Sequence, residues 1–225
     1  MDWEIKKDTT SKEVVDKIRL NGFVKFSGYL EDVSGIKGEV EKIIEETVED
    51  DYLFGKAARI GSVDHHQEAN PNIFNFFAQK WMYDLFAMYS GKVANFQEMF
   101  VQHDYRNDRG VNRNGELHFD RLWTFKYMLY LTDVDETQGP FCTVPGSHID
   151  GKFLRERTWS DNGSYNKAKN IIFKDYPELG YSEEDIVPIT GTAGTLIVFD
   201  TDLFHLGGLV QDNKDRILIR SHIRG

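Results

Sequence analysis

The sequence predicts a mainly β protein, an antiparallel sandwich or barrel with helices packed on its outside. Helical signals are confined to about residues 1–91, and strand-like runs follow one another from Ala94 onward. Because no helix-length segment alternates with those runs, a parallel sheet built from β-α-β units is not expected. The 225 residues suit one domain with a sizeable core, and we expect a single domain over residues 1–225.

The N-terminal part carries signals for three helices. Thr10 and Glu13 form a capping box that opens the first helix, which ends at Gly22. A second, mostly solvated helix is expected over residues 38–51.

The third helix has clear end signals. Asn70 is its expected N-cap, Pro71 its first residue, and Gly91 follows its end. Apolar residues recur along it at helical spacing and predict one face packed on the sheet: Ile73, Phe77, Trp81, Leu85 and Met88.

The strands are predicted from β-branched and aromatic runs between turn residues. These runs cover residues 23–26, 96–102, 122–131, 141–144, 195–199 and 216–223. A polar insert over about residues 151–183 interrupts them. A long loop in a compact domain is usually functional, so we expect this insert to be a lid.

Composition excludes several classes of protein. The formal net charge of −10 argues against a nucleic-acid binder, which would carry a basic patch. No apolar run is long enough to span a membrane and no signal-peptide pattern is present, so a cytoplasmic protein is expected. Cys142 is the single cysteine, which leaves no disulfide within the chain and predicts a small core residue.

Two segments carry side chains that bind metals. His118 and Asp120 flank Phe119, and on a strand they would point to the same face. His205 follows the apolar run at residues 196–199. Two imidazoles and one carboxylate form the facial triad of non-heme iron(II) oxygenases, with zinc as the competing metal.

Arg216 lies eleven residues after His205, at the start of the last predicted strand. An arginine between apolar neighbours is costly to bury unless it meets an anion, and its planar fork suits a carboxylate. The alternative is an ion pair with Asp215 or Asp200. Arg220 lies on the same face four residues later and is the second candidate for binding a carboxylate.

An ordered set of motifs resembles the phytanoyl-CoA dioxygenase-like family of 2-oxoglutarate oxygenases. The set runs through nearly the whole chain: Asn21-Gly22-Phe23-Val24, His118-Phe119-Asp120, Tyr130-Leu131-Thr132-Asp133-Val134, Gly139-Pro140-Phe141, Val144-Pro145-Gly146-Ser147-His148, His205 and Arg216. The resemblance implies a double-stranded β-helix, or jelly-roll, over about residues 92–225.

The resemblance also implies cofactors and site residues. Iron(II) would be held by His118, Asp120 and His205, and 2-oxoglutarate by Arg216, with dioxygen as the second co-substrate. Two further strand residues are candidates for contacting 2-oxoglutarate: Gln102 and Lys126. Gly207 replaces the hydroxyl residue that the family often has two positions after the distal histidine.

The expected activity is hydroxylation of an unactivated C–H bond in a small polar metabolite, such as an amino acid or a natural-product intermediate. Succinate and CO2 would be released. Related halogenases have a small residue at the position of Asp120, so this carboxylate favours hydroxylation over halogenation.

The alternative is a non-oxidative cupin-like metal protein, a hydrolase, isomerase or binding module, in which Arg216 would have no role. The oligomeric state stays open.

Other polar residues have weaker claims. Glu116, Arg121 and Trp123 are candidates for contacting the substrate, and a cationic rim is expected from Arg106, Arg109, Arg113 and Arg121. Four other histidines are expected away from the metal: His148 in a tight turn, His65 and His66 in a solvated loop, and His103 on a strand or loop.

Overall fold

A computed structural model describes residues 3–48, 55–105, 115–162, 171, 173–211 and 213–225, without the side chains of residues 158–162. Ten strands within this part of the chain form two sheets. The strands are β1 (Glu4–Ile5), β2 (Phe23–Phe26), β3 (Gly55–Gly61), β4 (Phe96–Tyr105), β5 (Phe125–Tyr130), β6 (Phe141–Thr143), β7 (Val187–Ile189), β8 (Leu196–Asp200), β9 (His205–Gly207) and β10 (Asp215–Arg224).

The larger sheet has seven strands in the order β1-β2-β8-β5-β10-β4-β3, and the smaller has the order β7-β6-β9. Pairing is antiparallel throughout except between β1 and β2. Apolar residues of both sheets meet in one inner cluster, which includes Met128, Phe141 and Leu218. The jelly-roll expectation is therefore confirmed, and His205, one of the metal-motif residues, begins β9 of the smaller sheet.

Five helices lie outside the sheets within the described residues: α1 (Ser11–Asn21), α2 (Ser34–Glu45), α3 (Pro71–Phe77), α4 (Lys80–Ser90) and α5 (His148–Asn162). The first four bury their apolar faces in a second cluster against the outer face of the larger sheet. The end signals of α1 are confirmed, since Thr10 accepts a hydrogen bond from the Glu13 N–H and Gly22 is left-handed with φ 81°. No described helix is long and apolar enough to cross a membrane.

Two helix predictions need correction. The second helix begins at Ser34 instead of residue 38, because the Asp32 carboxylate accepts the Ser34 N–H ahead of the first turn. The predicted third helix is two helices, with a break at Ala78 and Gln79.

The start of α3 is capped from outside its own segment. Asn70 occupies the N-cap position but makes no side-chain capping bond. The buried carboxylate of Glu39, on α2, accepts the backbone N–H groups of Asn72 and Ile73 and the Asn72 side-chain amide. A helix that the sequence predicts as solvated therefore supplies an internal cap.

The insert at about residues 151–183 is partly helical, not a plain loop. Its first part is α5, which is fixed by the paired hydrogen bonds of Arg155 with the buried Asp202. Gly151 allows this approach, because a Cβ there would lie 1.8 Å from the Asp202 carbonyl oxygen. Farther on, Ile171 and Phe173 join a third apolar cluster with Leu117, Phe119, Val144, Leu154 and Phe204.

Candidate metal centre

His118 and His205 are held against each other by their backbones. Each N–H donates to the other residue's carbonyl oxygen, at 3.0 and 2.8 Å, in an isolated antiparallel bridge. The Asp120 N–H donates to the Thr201 carbonyl oxygen at 2.9 Å. The segment carrying the His-x-Asp motif is thus paired with the segment that leads into His205.

The three predicted ligands converge as the sequence analysis expects. Oδ1 of Asp120 lies 3.9 Å from Nε2 of His118 and 3.7 Å from Nε2 of His205. One ligand atom from each residue falls within 4.8 Å of the others. Among the described residues, this is the one group of three or more such side chains with that geometry.

Backbone carbonyls fix the orientation of both imidazoles. Nδ1 of His118 lies 2.7 Å from the Glu116 carbonyl oxygen, and Nδ1 of His205 lies 2.6 Å from the Leu203 carbonyl oxygen. With the proton on Nδ1, each Nε2 presents a lone pair to the shared space, as in histidines that bind metals. Burial first, and then His118, hold the pKa of His205 well below its ordinary value, which keeps this ring neutral at neutral pH.

Lys126 orients the carboxylate. Its Nζ lies 2.5 Å from Oδ2 of Asp120, which leaves Oδ1 facing the imidazoles. Burial acts to raise the pKa of Asp120, but Lys126, His205 and His118 outweigh it and hold that pKa well below the ordinary value. The charged carboxylate that a metal requires is therefore present across the physiological pH range.

The triad opens into a cavity of about 230 Å³ between the two sheets. Its wall combines the triad with apolar side chains and with three cationic side chains. The lining residues besides the triad are Gln102, Lys126, Met128, Phe141, Phe199, Leu206, Gly207, Arg216, Leu218, Arg220 and His222. Arg216, Leu218, Arg220 and His222 alternate along β10, so one face of that strand forms a long side of the cavity.

Arg216 is buried and forms an ion pair, but its partner is neither Asp215 nor Asp200. Its Nε and Nη2 donate to Oδ2 of Asp104, at 3.0 and 2.6 Å, and its Nη1 donates to the Gly139 carbonyl oxygen. Asp104 also accepts the Gln102 amide at 2.5 Å. Asp215, one expected partner, instead lies 2.9 Å from His103.

Arg220 and His222 differ from Arg216 in their contacts. Both pack on the ring of Phe100. Within the described part of the chain, Nε of Arg220 and Nε2 of His222 are buried and have no hydrogen-bond partner. Buried polar atoms of this kind are rare, and in a cavity they mark a place for a polar ligand.

Three other predicted site residues do not line the cavity. Glu116 and Arg121 have exposed side chains, and Glu116 contributes its backbone carbonyl oxygen to His118. Trp123 packs on Phe86 and donates its indole N–H to Asp200, which places it in a separate groove. Arg106, Arg109 and Arg113 lie outside the described residues.

The structure places the other histidines as follows. His103 lies away from the triad, as expected, and so does the buried His148, which begins α5. The prediction for His66 is wrong: its ring is buried, with Nε2 2.8 Å from the Ile60 carbonyl oxygen and Nδ1 2.9 Å from the Asn70 amide. Cys142 is buried, as predicted.

The sequence analysis missed two residues of this site. Asp104 is two residues after Gln102 on β4 and therefore shares its face, which was the available signal. His222 is two residues after Arg220 on β10, and the same alternation places it in the cavity.

Comparisons with known proteins agree with this architecture. One similar solved structure is the non-heme α-ketoglutarate-dependent epimerase SnoN from nogalamycin biosynthesis, in complex with Fe3+, α-ketoglutarate and nogalamycin RO. It has 14% identity and a TM-score of 0.66, over 95% of this chain and 82% of that one. The non-heme α-ketoglutarate-dependent carbocyclase SnoK, from the same biosynthesis, has 16% identity and a TM-score of 0.66, over 98% and 86%.

A third similar structure is AviO1 from Streptomyces viridochromogenes Tue57, at 15% identity and a TM-score of 0.61, over 96% of this chain and 95% of that one. The curated protein sequences contain no match. The sequence profile described as phytanoyl-CoA dioxygenase (PhyH) matches residues 18–217, which is most of the chain. The chain therefore belongs to the phytanoyl-CoA dioxygenase family.

Proposed function

We propose that this protein is an iron(II)- and 2-oxoglutarate-dependent oxygenase that hydroxylates an unactivated C–H bond of a small polar metabolite. The observation that carries the proposal is the triad of His118, Asp120 and His205, which faces a cavity containing cationic side chains. Two imidazoles and one carboxylate on one side of a metal leave adjacent positions free for a chelating oxo acid and for dioxygen. Family membership supports the same class of reaction.

The residues of the triad fit the iron(II) ion that membership of the family implies. Both imidazoles are oriented by backbone carbonyls and the carboxylate is charged, which is the donor set that iron(II) takes. When bound, iron(II) with 2-oxoglutarate and dioxygen supplies an oxidant for a C–H bond, and succinate and CO2 are released. The protein holds the ligands, excludes water with the apolar wall of Met128, Phe141 and Phe199, and orients the reactants.

We further propose that the distal carboxylate of 2-oxoglutarate lies against the arginine pair on β10, Arg216 and Arg220. A single carboxylate in an apolar cavity needs a cationic partner, and both side chains line this wall. Gln102 and Lys126 line the same cavity and complete its polar part.

Hydroxylation is the outcome that Asp120 supports. This carboxylate occupies the ligand position that halogenation leaves to a halide, and Lys126 holds it in place. The similar structures include an epimerase and a carbocyclase, which share the fold without sharing one outcome. Hydroxylation adds one oxygen atom, so a product about 16 mass units heavier than the substrate would distinguish it from epimerisation or ring closure.

The insert is proposed to act as a lid over the triad. Leu154, Ile171 and Phe173 pack against Phe119, which separates two of the ligands in sequence, and against Phe204, which precedes the third. A segment packed on the two ligand-bearing segments is positioned to cover the reacting centre.

We also propose that the protein acts in the cytoplasm, with a small molecule as its partner and no nucleic-acid or membrane partner.

The test is to add iron(II) and 2-oxoglutarate without air and to record the weak visible charge-transfer band of the chelate. We expect the band in the wild type, followed by succinate formation on admitting air with ascorbate. Neither should occur in His118→Ala or Asp120→Ala, while His65→Ala, an exposed histidine in a short 3-10 helix, should behave as the wild type. A wild type with neither band nor succinate would favour a non-oxidative metal protein of the cupin type.

A further inference from the structure

The face of β10 that lines the cavity continues beyond it. Arg216 and His222 line the cavity, and Arg224 follows on the same face, because alternate residues of a strand share a face. His222 lies opposite Lys126 in the pairing of β10 with β5, and Lys126 holds Asp120. The metal therefore belongs to the His222 end of this face, and Arg216 lies at the other end, roughly 20 Å back along the strand.

The charges of the cavity wall do not cancel. Within the described residues, Lys126 pairs with Asp120 and Arg216 pairs with Asp104. The buried Nε of Arg220 has no hydrogen-bond partner there, so this third cation of the wall is left over. Iron(II) and 2-oxoglutarate cancel each other in charge, so the loaded cavity keeps one surplus positive charge wherever the co-substrate's carboxylates lie. Because an unmatched charge in a water-poor site is costly, a substrate with one negative charge is favoured.

Two groups at the metal end can receive that negative charge. Nε2 of His222 is buried at the cavity wall and has no hydrogen-bond partner within the described residues. The guanidinium of Arg224 lies 4.1 Å from the centre of the Phe96 ring, and no ion pair between described residues includes it. A guanidinium that rests on an aromatic ring keeps the edge of its planar fork free, which suits a carboxylate.

Two aromatic rings of β4 support these groups. The ring of His222 packs on Phe100 with 4.6 Å between the ring centres, and Phe96 supports Arg224. Both phenylalanines are partly exposed, and neither belongs to an apolar cluster of the described residues. Glu98 lies between them on this face, and its carboxylate is already paired with an arginine of β3. This strip therefore offers cationic and polar groups on a firm aromatic base, next to the metal end of the cavity.

We propose that the substrate is a carboxylate anion, and that its carboxylate binds Nε2 of His222 and the guanidinium of Arg224. This inference rests on the proposed function, because the charge balance takes iron(II) and 2-oxoglutarate as bound. A carboxylate carries one negative charge at neutral pH, which matches the surplus of the cavity. His222 and Arg224 thereby anchor one end of the substrate beside the metal, and they select an acid over the corresponding amide or amine.

The experiment measures binding without turnover. Protein loaded with manganese(II) and excess 2-oxoglutarate, without air, is titrated with three probes of equal chain length: pentanoate, pentanamide and pentylammonium. Manganese(II) broadens the proton NMR signals of a probe that binds near it, and protein loaded with zinc(II) gives the blank. Pentanoate should bind about 10-fold more tightly than pentanamide, the effect of one hydrogen bond to a charged group, and pentylammonium should bind least tightly.

Two variants each remove one contact. Arg224→Gln removes the charge, and His222→Phe keeps a ring on Phe100 without a polar atom. Each should reduce the preference for pentanoate over pentanamide to about threefold or less, and His222→Gln, which restores a donor, should recover part of it. The matched controls are Arg19→Gln, an exposed arginine of α1, and His65→Gln, an exposed histidine, and both should keep the wild-type preference.

The outcomes separate this inference from the function on which it rests. A wild type without the chelate band of iron(II) and 2-oxoglutarate contradicts the proposed function. A wild type that forms the band but binds pentanoate no better than pentanamide overturns the inference and leaves the proposed function standing. An unchanged preference in Arg224→Gln or in His222→Phe, or an equal loss in Arg19→Gln, also overturns it. If His222→Phe does not fold, the partly exposed Arg224 still provides the test.

Discussion

Nζ of Lys126 lies 2.5 Å from one oxygen of Asp120, while the other oxygen of that carboxylate faces the two imidazoles. Lys126 is a candidate for contacting the co-substrate and lines the cavity, and it also pairs with Asp120, a candidate metal ligand. It thereby fixes which oxygen is available for a metal.

Replacing Lys126 by Met should weaken metal binding. Without the ammonium group, Asp120 loses the hydrogen bond that orients it, and partners of this kind are typically worth 10- to 100-fold in metal affinity or activity. We expect a loss of about that size for manganese(II), measured by calorimetry. Lys126→Arg keeps a cationic donor and should lose less. Equal affinities in Lys126→Met and the wild type would contradict the role in orientation.

Replacing Glu39 by Ala should destabilise the fold through α3. The carboxylate satisfies two backbone N–H groups and one side-chain amide at the start of that helix. Leaving these donors unsatisfied should lower the free energy of unfolding by about 1–3 kcal/mol, measured by urea titration. Glu41 is on the same helix, half exposed and 3.7 Å from Lys37, so Glu41→Ala should change it by less than about 0.5 kcal/mol. Similar effects of the two variants would refute the capping role.

Cys142 should react slowly in the folded protein. Burial raises the pKa of its thiol to about 11, and the thiolate is the reactive form. With iodoacetamide at about pH 8, labelling should be on the order of 100-fold slower than in urea, as followed by mass spectrometry. Labelling at the same rate with and without urea would show that this side chain is accessible.

Acid should destabilise the protein through His222. Burial first, and then Lys126 and Arg220, hold its pKa well below the ordinary value of 6.5. The unfolded chain therefore binds more protons than the folded one below about pH 6.5, so the free energy of unfolding falls as the pH falls, by up to roughly 1.4 kcal/mol per pH unit.

His222→Gln cannot take up this proton. Between about pH 7 and pH 5.5, its loss of stability in urea titrations should be smaller than that of the wild type. A residual loss should persist, because the pKa of His205 is also depressed. Parallel curves for the two proteins would exclude His222 as a source of the acid sensitivity.

The sequence predicted the triad because its signals are local. His118 and Asp120 are two residues apart in the sequence, and an isolated bridge between His118 and His205 brings the third residue to them. The signals that end α1 are also local, because they lie next to the helix in the sequence. The cap of α3 could not be predicted in this way, because the acceptor, Glu39, is on another helix.

Alternation along β4 could place Asp104 on the face of Gln102, but it could not place Asp104 against Arg216. Asp104 meets it through the register of β4 against β10, which depends on the pairing of two segments far apart in the chain. Strands β1, β3, β7 and β9 were missed, since they are short or weakly apolar and are defined by the neighbours with which they pair.

The reciprocal backbone bonds between His118 and His205 link metal binding to folding. The ligand set is complete only when two remote segments have joined, so binding of the ion should favour the paired state of these segments. A nascent chain that ends before residue 205 has no place for the ion. Conversely, those bonds join backbone atoms and not the ligand nitrogens, so the two segments should stay paired when a chelator removes the ion, ready to be loaded again.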